Sequence, residues 1–436
     1  HFSLSACAFL FGIGTFPTGK AAVAKRASDS FLFSGIAAAH SLIAFFLQPT
    51  VGGLSDKLGR RPLLVVCICC SALPHLALLF SSLHAWAIAT ALSGASGAAA
   101  SLLMASIADA TQPEHRASAM GITIGFHYGG KALGVQLGSM LFERFGAASF
   151  AAPCIVAAIN IACVAHLVPE TMRAQAKAAQ HVRSRRLDYA DPCSAFRILG
   201  RPAVREVVVL RSLCVCQFIL FASSFGYTSN LPLLLKNIHA RQDVHATMRT
   251  LGNICSFGGS ISVAAFRLLG LTERLIGCAG LSLMPLAYAF AAFAPNQESF
   301  YSLGVLVGLG NSVGALFANQ AATIAPDAMR GVVQALLGAF IVLGEFAGPG
   351  LMAGMLGLST HSSTPNTPLL GAAFGCVFML ILWLAIAPRQ MSIHDSPTFM
   401  RASRSAEDCD ETGSVGPTFR PCDLSSPRSG SLQYIV

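Results

Sequence analysis

Pro62-Leu63-Leu64-Val65-Val66-Cys67-Ile68-Cys69-Cys70-Ser71-Ala72-Leu73-Pro74-His75 opens a stretch that runs through Trp86 to Ala108 without one Lys, Arg, Asp or Glu. A helix crossing the hydrocarbon core of a bilayer needs about 20 residues, so this stretch has room for two crossings and the turn between them. Phe346 to Pro388 is a second charge-free stretch of this size. His1 to Gly19, Ser30 to Ser55, Phe145 to Pro169, Ser212 to Leu235, Leu275 to Gln297 and Ser299 to Pro326 are shorter charge-free runs, each suited to one crossing.

The whole chain agrees. Of 436 residues 54% are apolar and 11% charged, with a mean hydropathy of +0.62, whereas soluble domains carry about 25% charged residues. These values exclude an ordinary water-soluble enzyme and exclude disorder over most of the length. The runs are rich in Ala, Leu, Gly and Ser and lack period-two alternation, so they read as helices and not as barrel strands. Most of the 14 Cys lie inside apolar runs, where Cys behaves as a small hydrophobe. Cys67, Cys69 and Cys70 match no standard zinc spacing, so no metal and no cofactor is expected.

The expected fold is therefore an all-α integral membrane protein of twelve transmembrane helices in two pseudo-symmetric six-helix bundles. Residues 1–168 form the N-terminal bundle, with spans at 2–24, 31–55, 62–82, 86–108, 117–141 and 149–168. Residues 206–387 form the C-terminal bundle, with spans at 206–230, 247–269, 275–294, 300–325, 331–356 and 370–387. A basic linker, 169–205, joins them, and 388–436 reads as a disordered tail. Placing linker and tail on the cytoplasmic side puts 20 of the Lys and Arg residues there against 7 opposite, so both termini are expected in the cytoplasm. The net charge of +9 is then topological, with no nucleic-acid partner. The terminal Tyr434-Ile435-Val436 offers a strand to a tail-binding cytoplasmic protein.

One offset brings the halves into register. Moving forward 214 residues carries Arg116 to Arg330, Gly130 to Gly344, Gly134 to Gly348 and Arg60 to Arg274. Two related six-helix units around a central site are the architecture of alternating access.

Between the second and third spans stands Gly52-Gly53-Leu54-Ser55-Asp56-Lys57-Leu58-Gly59-Arg60-Arg61. The glycines allow one helix to end and the next to begin in close contact, Asp56 suits a neighbouring helix N-terminus, and the arginines suit a carboxylate. This pattern resembles the signature of the major facilitator superfamily. Ala108-Asp109-Ala110-Thr111-Gln112-Pro113-Glu114-His115-Arg116, Val168-Pro169-Glu170-Thr171 and Gly331-Val332-Val333-Gln334 with Gly348-Pro349 are similar to its tetracycline-exporter-like and hippocampus-abundant-transcript-like branch. The resemblance implies twelve helices, a cavity lined by spans 1, 4, 7 and 10, and movement of a small organic solute. It also implies a gating motif of Gly52, Asp56, Lys57, Gly59, Arg60 and Arg61, with Asp109 as the partner of Arg60 and Arg116 beside them. Thr90 and Val135 stand where drug antiporters of the superfamily carry Arg and Pro.

Two charges fall at mid-membrane, Lys131 in the fifth span and Glu345 in the eleventh. Each costs about 2.5 to 3.5 kcal/mol on insertion unless paired or facing water. Glu345 therefore reads as a proton or cation relay and Lys131 as a counter-charge or anion contact, with His127 one turn away; a direct bridge between the two is disfavoured because their spans lie on opposite sides of such a fold. His40, Gln217, Tyr227, Asn230 and Asn311 are candidate cavity residues, interhelical hydrogen bonds being the alternative for each. Together these readings point to a secondary active transporter of a small organic solute, embedded in a lipid bilayer and possessing no enzyme chemistry. The alternative is a transporter-shaped receptor or sorting factor that acts through its tail and loops.

Overall fold

A computed structural model of the chain describes residues 27–80, 82–171, 192–200, 205–237, 243–293, 296–325, 329–359 and 367–387. The expected first span, most of the linker and the tail with its Tyr434-Ile435-Val436 end lie outside the described residues. Helices account for nearly everything else. They are α1 (Ala27–Leu58), α2 (Arg60–Leu79), α3 (Leu83–Leu92), α4 (Ala98–Ala110), α5 (Pro113–Phe145), α6 (Ala151–Leu167) and α7 (Pro192–Leu199). The series continues with α8 (Arg205–Asn237), α9 (Asp243–Leu268), α10 (Glu273–Phe293), α11 (Gln297–Gly310), α12 (Val313–Ile324), α13 (Arg330–Ser359) and α14 (Thr367–Ile386). Eight helical segments among the described residues are long and apolar enough to cross a membrane, and one of them, Pro113–Leu167, contains both α5 and α6. Exposed Leu, Ile, Phe and Val side chains such as Ile88, Ile155, Leu286 and Phe374 cover the outside of the bundle, as a lipid solvent requires.

Two expected spans are interrupted. The span predicted at 86–108 breaks into α3 and α4 through a 3-10 turn, Ser93–Gly97, and that predicted at 300–325 breaks between α11 and α12 at Asn311 and Ser312. Small residues make the first break tolerable, and a close neighbour makes Gly94 necessary. A Cβ there would stand 2.7 Å from the His40 carbonyl oxygen and 3.0 Å from the Ala44 nitrogen of α1. At the 214-residue offset Gly97 falls on Asn311, so both breaks occupy equivalent places in the repeat.

The linker also holds structure that its polar composition hides. α7 is a short helix whose Phe196 ring lies 5.0 Å from that of Phe45 in α1, while its Leu199 carbonyl accepts from Arg211 Nε of α8 at 2.7 Å. Arg211 is thus tied to the linker helix.

Two long interfaces join elements distant in sequence. α13 packs along α1, and α5 along α9; the offset that carries α5 onto α13 also carries α1 onto α9, so the two interfaces are equivalent. Gly121 and Gly125 let α5 approach the Ser260 and Phe257 carbonyls of α9, and Gln136 Nε2 donates to Thr250 Oγ1 at 2.8 Å across the same seam. Small-residue contacts of this kind allow helices to associate where no water drives them together.

Candidate functional site

At one end of the bundle the Gly52–Arg61 segment turns from α1 into α2. Gly59 adopts φ +107°, which L side chains rarely reach, and ends α1. A Cβ at Gly59 would also run into the carboxylate of Glu170. That carboxylate accepts the backbone N–H groups of Arg60 at 3.0 Å and Arg61 at 3.3 Å, capping α2. Gly59→Ala is expected to cost about 1–3 kcal/mol from backbone strain alone, with displacement of Glu170 adding to it. Thermal unfolding of the purified chain measures this, and a curve superimposable on the parent would show that the turn accepts a side chain.

The turn delivers Asp56 and Arg60 to a buried position, each 2% exposed. Arg60 Nη1 pairs with Asp56 Oδ1, and Arg60 Nε donates to Asp109 Oδ2 at 3.1 Å. Asp109 ends α4 and also receives Arg330 Nη1 at 3.4 Å. Asp56 reaches further: its two oxygens accept the backbone N–H groups of Gly331 and Val332 at 3.0 Å each. These are unpaired donors in the first turn of α13, where the helix dipole favours a carboxylate. α1 and α13 come close enough for this because Gly52 and Gly331 face each other. A Cβ on Gly331 would strike the Arg60 guanidinium, the Asp56 carboxylate and the Gly52 carbonyl. Arg116 lies buried near the start of α5, and Lys57 in the last turn of α1. Hydrogen bonds and ion pairs thus tie α1, α2, α4 and α13 together at one end of the bundle.

A second buried carboxylate sits at the same end. Glu273, at the start of α10, accepts from Asn319 Nδ2 at 3.0 Å on both oxygens and from Gln320 Nε2 at 2.8 Å. Glu273 precedes Arg274, the counterpart of Arg60 in the repeat, but itself falls on Gly59; the counterparts of Asp56 and Asp109 are Gly270 and Thr323, and Arg274 Nη2 donates instead to the Leu384 carbonyl at 2.9 Å.

Further along the bundle is a cavity of about 270 Å³. Its walls are Tyr128, Lys131 and Val135 of α5; Phe221, Ser224, Phe225, Tyr227, Thr228 and Leu231 of α8; Met248, Arg249, Gly252, Asn253 and Ser256 of α9; and Gly304, Val307 and Gly308 of α11, with Asn311 beyond it. The lining thus comes from the fifth, seventh, eighth and tenth spans, and among the described lining residues none belongs to the fourth. Of the sequence candidates, Lys131, Tyr227 and Asn311 reach this space. Asn311 Nδ2 donates to Ser256 Oγ at 3.4 Å. His40 instead holds the Thr90 carbonyl at 2.8 Å, Asn230 donates to the Gly226 and Pro349 carbonyls, and Gln217 is 2% exposed outside the lining. His127 lies near Tyr128 with ring centroids 5.9 Å apart. Glu345 acts electrostatically on Lys131 and Tyr128, although no contact within 4 Å joins it to Lys131.

Sequence reasoning missed Arg249. Its position near the start of the eighth span placed it on the outer side of the membrane in the charge count, whereas α9 begins earlier and carries it into the cavity wall. The signal in the sequence was its spacing: Arg249 stands between Met248 and Leu251, so a helix begun one turn earlier draws the charge inward from the span end.

Comparison with known proteins follows the same lines. The family model described as Major Facilitator Superfamily matches residues 2–349. The Homo sapiens hippocampus abundant transcript 1 protein is 23% identical over 376 residues, which cover 84% of this chain and 74% of that protein. The Escherichia coli tetracycline resistance protein, class C, is 24% identical over 366 residues, covering 79% of this chain and 86% of that protein. Among solved structures, the human organic anion transporter MFSD10 shares the fold with a TM-score of 0.69 and 20% identity, over 88% of this chain and 89% of that one.

Proposed function

Because the chain belongs to the major facilitator superfamily and is a multi-pass membrane transport protein, we propose that it is a secondary active transporter moving a small organic solute by alternating access. The observation that carries this reading is the coexistence of a latch at one end of the bundle with a cavity further along it. Asp56 holds the start of α13 while Lys131, Tyr227 and Asn311 border open space. A latch of hydrogen bonds and ion pairs between rigid helices can break and re-form as a unit, which a two-state gate requires.

In this reading the latched end is cytoplasmic, following the excess of Lys and Arg in the loops there, and residues 1–168 and 206–387 are the two moving bundles. Glu345 serves as the coupling group. A carboxylate at mid-membrane that takes up and gives back a proton in the two states links solute movement to a proton gradient. Glu345→Gln is expected to abolish gradient-driven accumulation by the full chain in proteoliposomes at unchanged insertion, while exchange of solute across the membrane persists. A solute screen with and without an imposed pH gradient supplies the assay. Full gradient-driven uptake by that variant would remove Glu345 from the mechanism.

A further inference from the structure

The cavity wall carries more positive than negative charge. Lys131 enters from α5 and Arg249 from α9. Among the described residues neither makes an ion pair or hydrogen bond, and Lys131 Nζ stands 5.6 Å from the Tyr128 ring centroid. Glu345 supplies one negative charge within electrostatic reach of Lys131 but not in contact with it. Two cations against one carboxylate leave a surplus of one positive charge at the cavity, Lys131 partly buried and Arg249 exposed beside it, and a matching counter-charge is attracted there.

Away from the two cations the wall is largely formed by rings and aliphatic groups. Tyr227 contributes ring surface to the lining, 3% exposed, and packs edge-on against Tyr288 with centroids 6.2 Å apart. Beside it the wall is apolar: Phe221 and Phe225 stack with centroids 6.1 Å apart, and Leu231 and Val307 continue the surface. The volume of about 270 Å³ suits a solute of one or two rings.

We propose that this cavity is a binding site for a small organic monoanion with an aromatic or otherwise apolar body. The anionic group sits between Lys131 and Arg249, while the body lies along Phe221 and Phe225. Glu345 is the resident negative charge with which the solute competes for Lys131. The inference rests on the transport reading for its purpose, but binding itself requires no movement.

Equilibrium binding to the purified full chain tests it, with 2-naphthoate as probe and 2-naphthamide and 2-naphthylmethylammonium as neutral and cationic counterparts. Naphthoate is expected to bind at least about tenfold more tightly than either, the loss typical of leaving charged hydrogen-bonding groups unmatched. Lys131→Gln and Arg249→Gln should each weaken naphthoate about tenfold or more and leave naphthamide unaffected, while Lys131→Arg keeps the affinity. Glu345→Gln should tighten naphthoate, because the competing charge is gone. Equal binding of naphthamide and naphthoate overturns the proposal, as does unchanged naphthoate affinity in both Gln variants with intact folding by thermal unfolding. Naphthoate bound but never moved in proteoliposomes leaves the anion site standing and ends the transport reading; a solute moved without regard to its charge does the reverse.

Discussion

In an Asp56→Ala chain the latched end is expected to open. Asp56 is buried at 2% exposure, answers two backbone donors of α13 and neutralises Arg60, which is equally buried. Its removal strands the Gly331 and Val332 N–H groups and leaves Arg60 with Asp109 as carboxylate partner. Breaking a buried pair from one side costs about 3–5 kcal/mol. In the proposed alternating-access cycle all of that falls on the closed arrangement, the one in which α13 packs along α1. At about 1.4 kcal/mol per tenfold, the closed-to-open ratio drops by about two to three and a half orders of magnitude. The readout is the labelling rate of a cysteine placed at Ala335, which is 0% exposed and faces Gly52. A membrane-impermeant thiol reagent applied from the latched side should react about 100-fold faster or more in the Asp56→Ala background, with native cysteines replaced. An unchanged rate would mean that Asp56 holds nothing shut. Asp56→Asn keeps an acceptor oxygen but not the charge, so an intermediate rate is expected of it.

Gly331→Val is expected to act from the other side of the same contact. No rotamer helps, since the added Cβ itself collides with the Arg60 guanidinium, the Asp56 carboxylate and the backbone carbonyl of Gly52. Two of these are polar side chains already committed to one another, and the third is backbone. α1 and α13 must separate, and overpacking of about 1–3 kcal/mol combines with loss of the Asp56 bonds to α13. Val in the first turn of a helix is otherwise well tolerated, so insertion and melting temperature should change little while Ala335 labelling rises as in Asp56→Ala. If Gly331→Val folds and stays closed, the facing glycines do not set the helix approach. Combining the two substitutions should give less than the sum of their effects, because both break one contact.

Much of this molecule was legible along the chain, and the reason is local. A charge buried in lipid is penalised wherever it falls, so charge-free runs mark spans without any knowledge of partners. The place of Asp56 was half legible. An Asp in a glycine-bracketed turn suits a helix N-terminus, but which helix was beyond reach, since α13 begins 274 residues further on at Arg330. Glu170 stood in a recognised motif, yet its capping of α2 emerges only when the end of α6 is brought beneath Gly59. His40 and Asn230 took the other outlet weighed for them, a neighbouring carbonyl, and Gln217 lies outside the cavity lining. A polar residue in an apolar run has two outlets, a cavity or a neighbouring carbonyl, and local sequence does not distinguish them.

What the amino-acid order determined alone was the solvent, the helical character of the crossings and the internal repeat, because each follows from costs counted residue by residue. Tertiary structure decided the rest: the breaks at Ser93–Gly97 and Asn311, the meeting of Asp56 with Gly331, and the gathering of Lys131, Arg249 and Tyr227 around one cavity. These depend on which helix faces come together. In a membrane every face is apolar enough for lipid, so close glycine contacts and paired polar groups, not hydrophobicity, choose the neighbours.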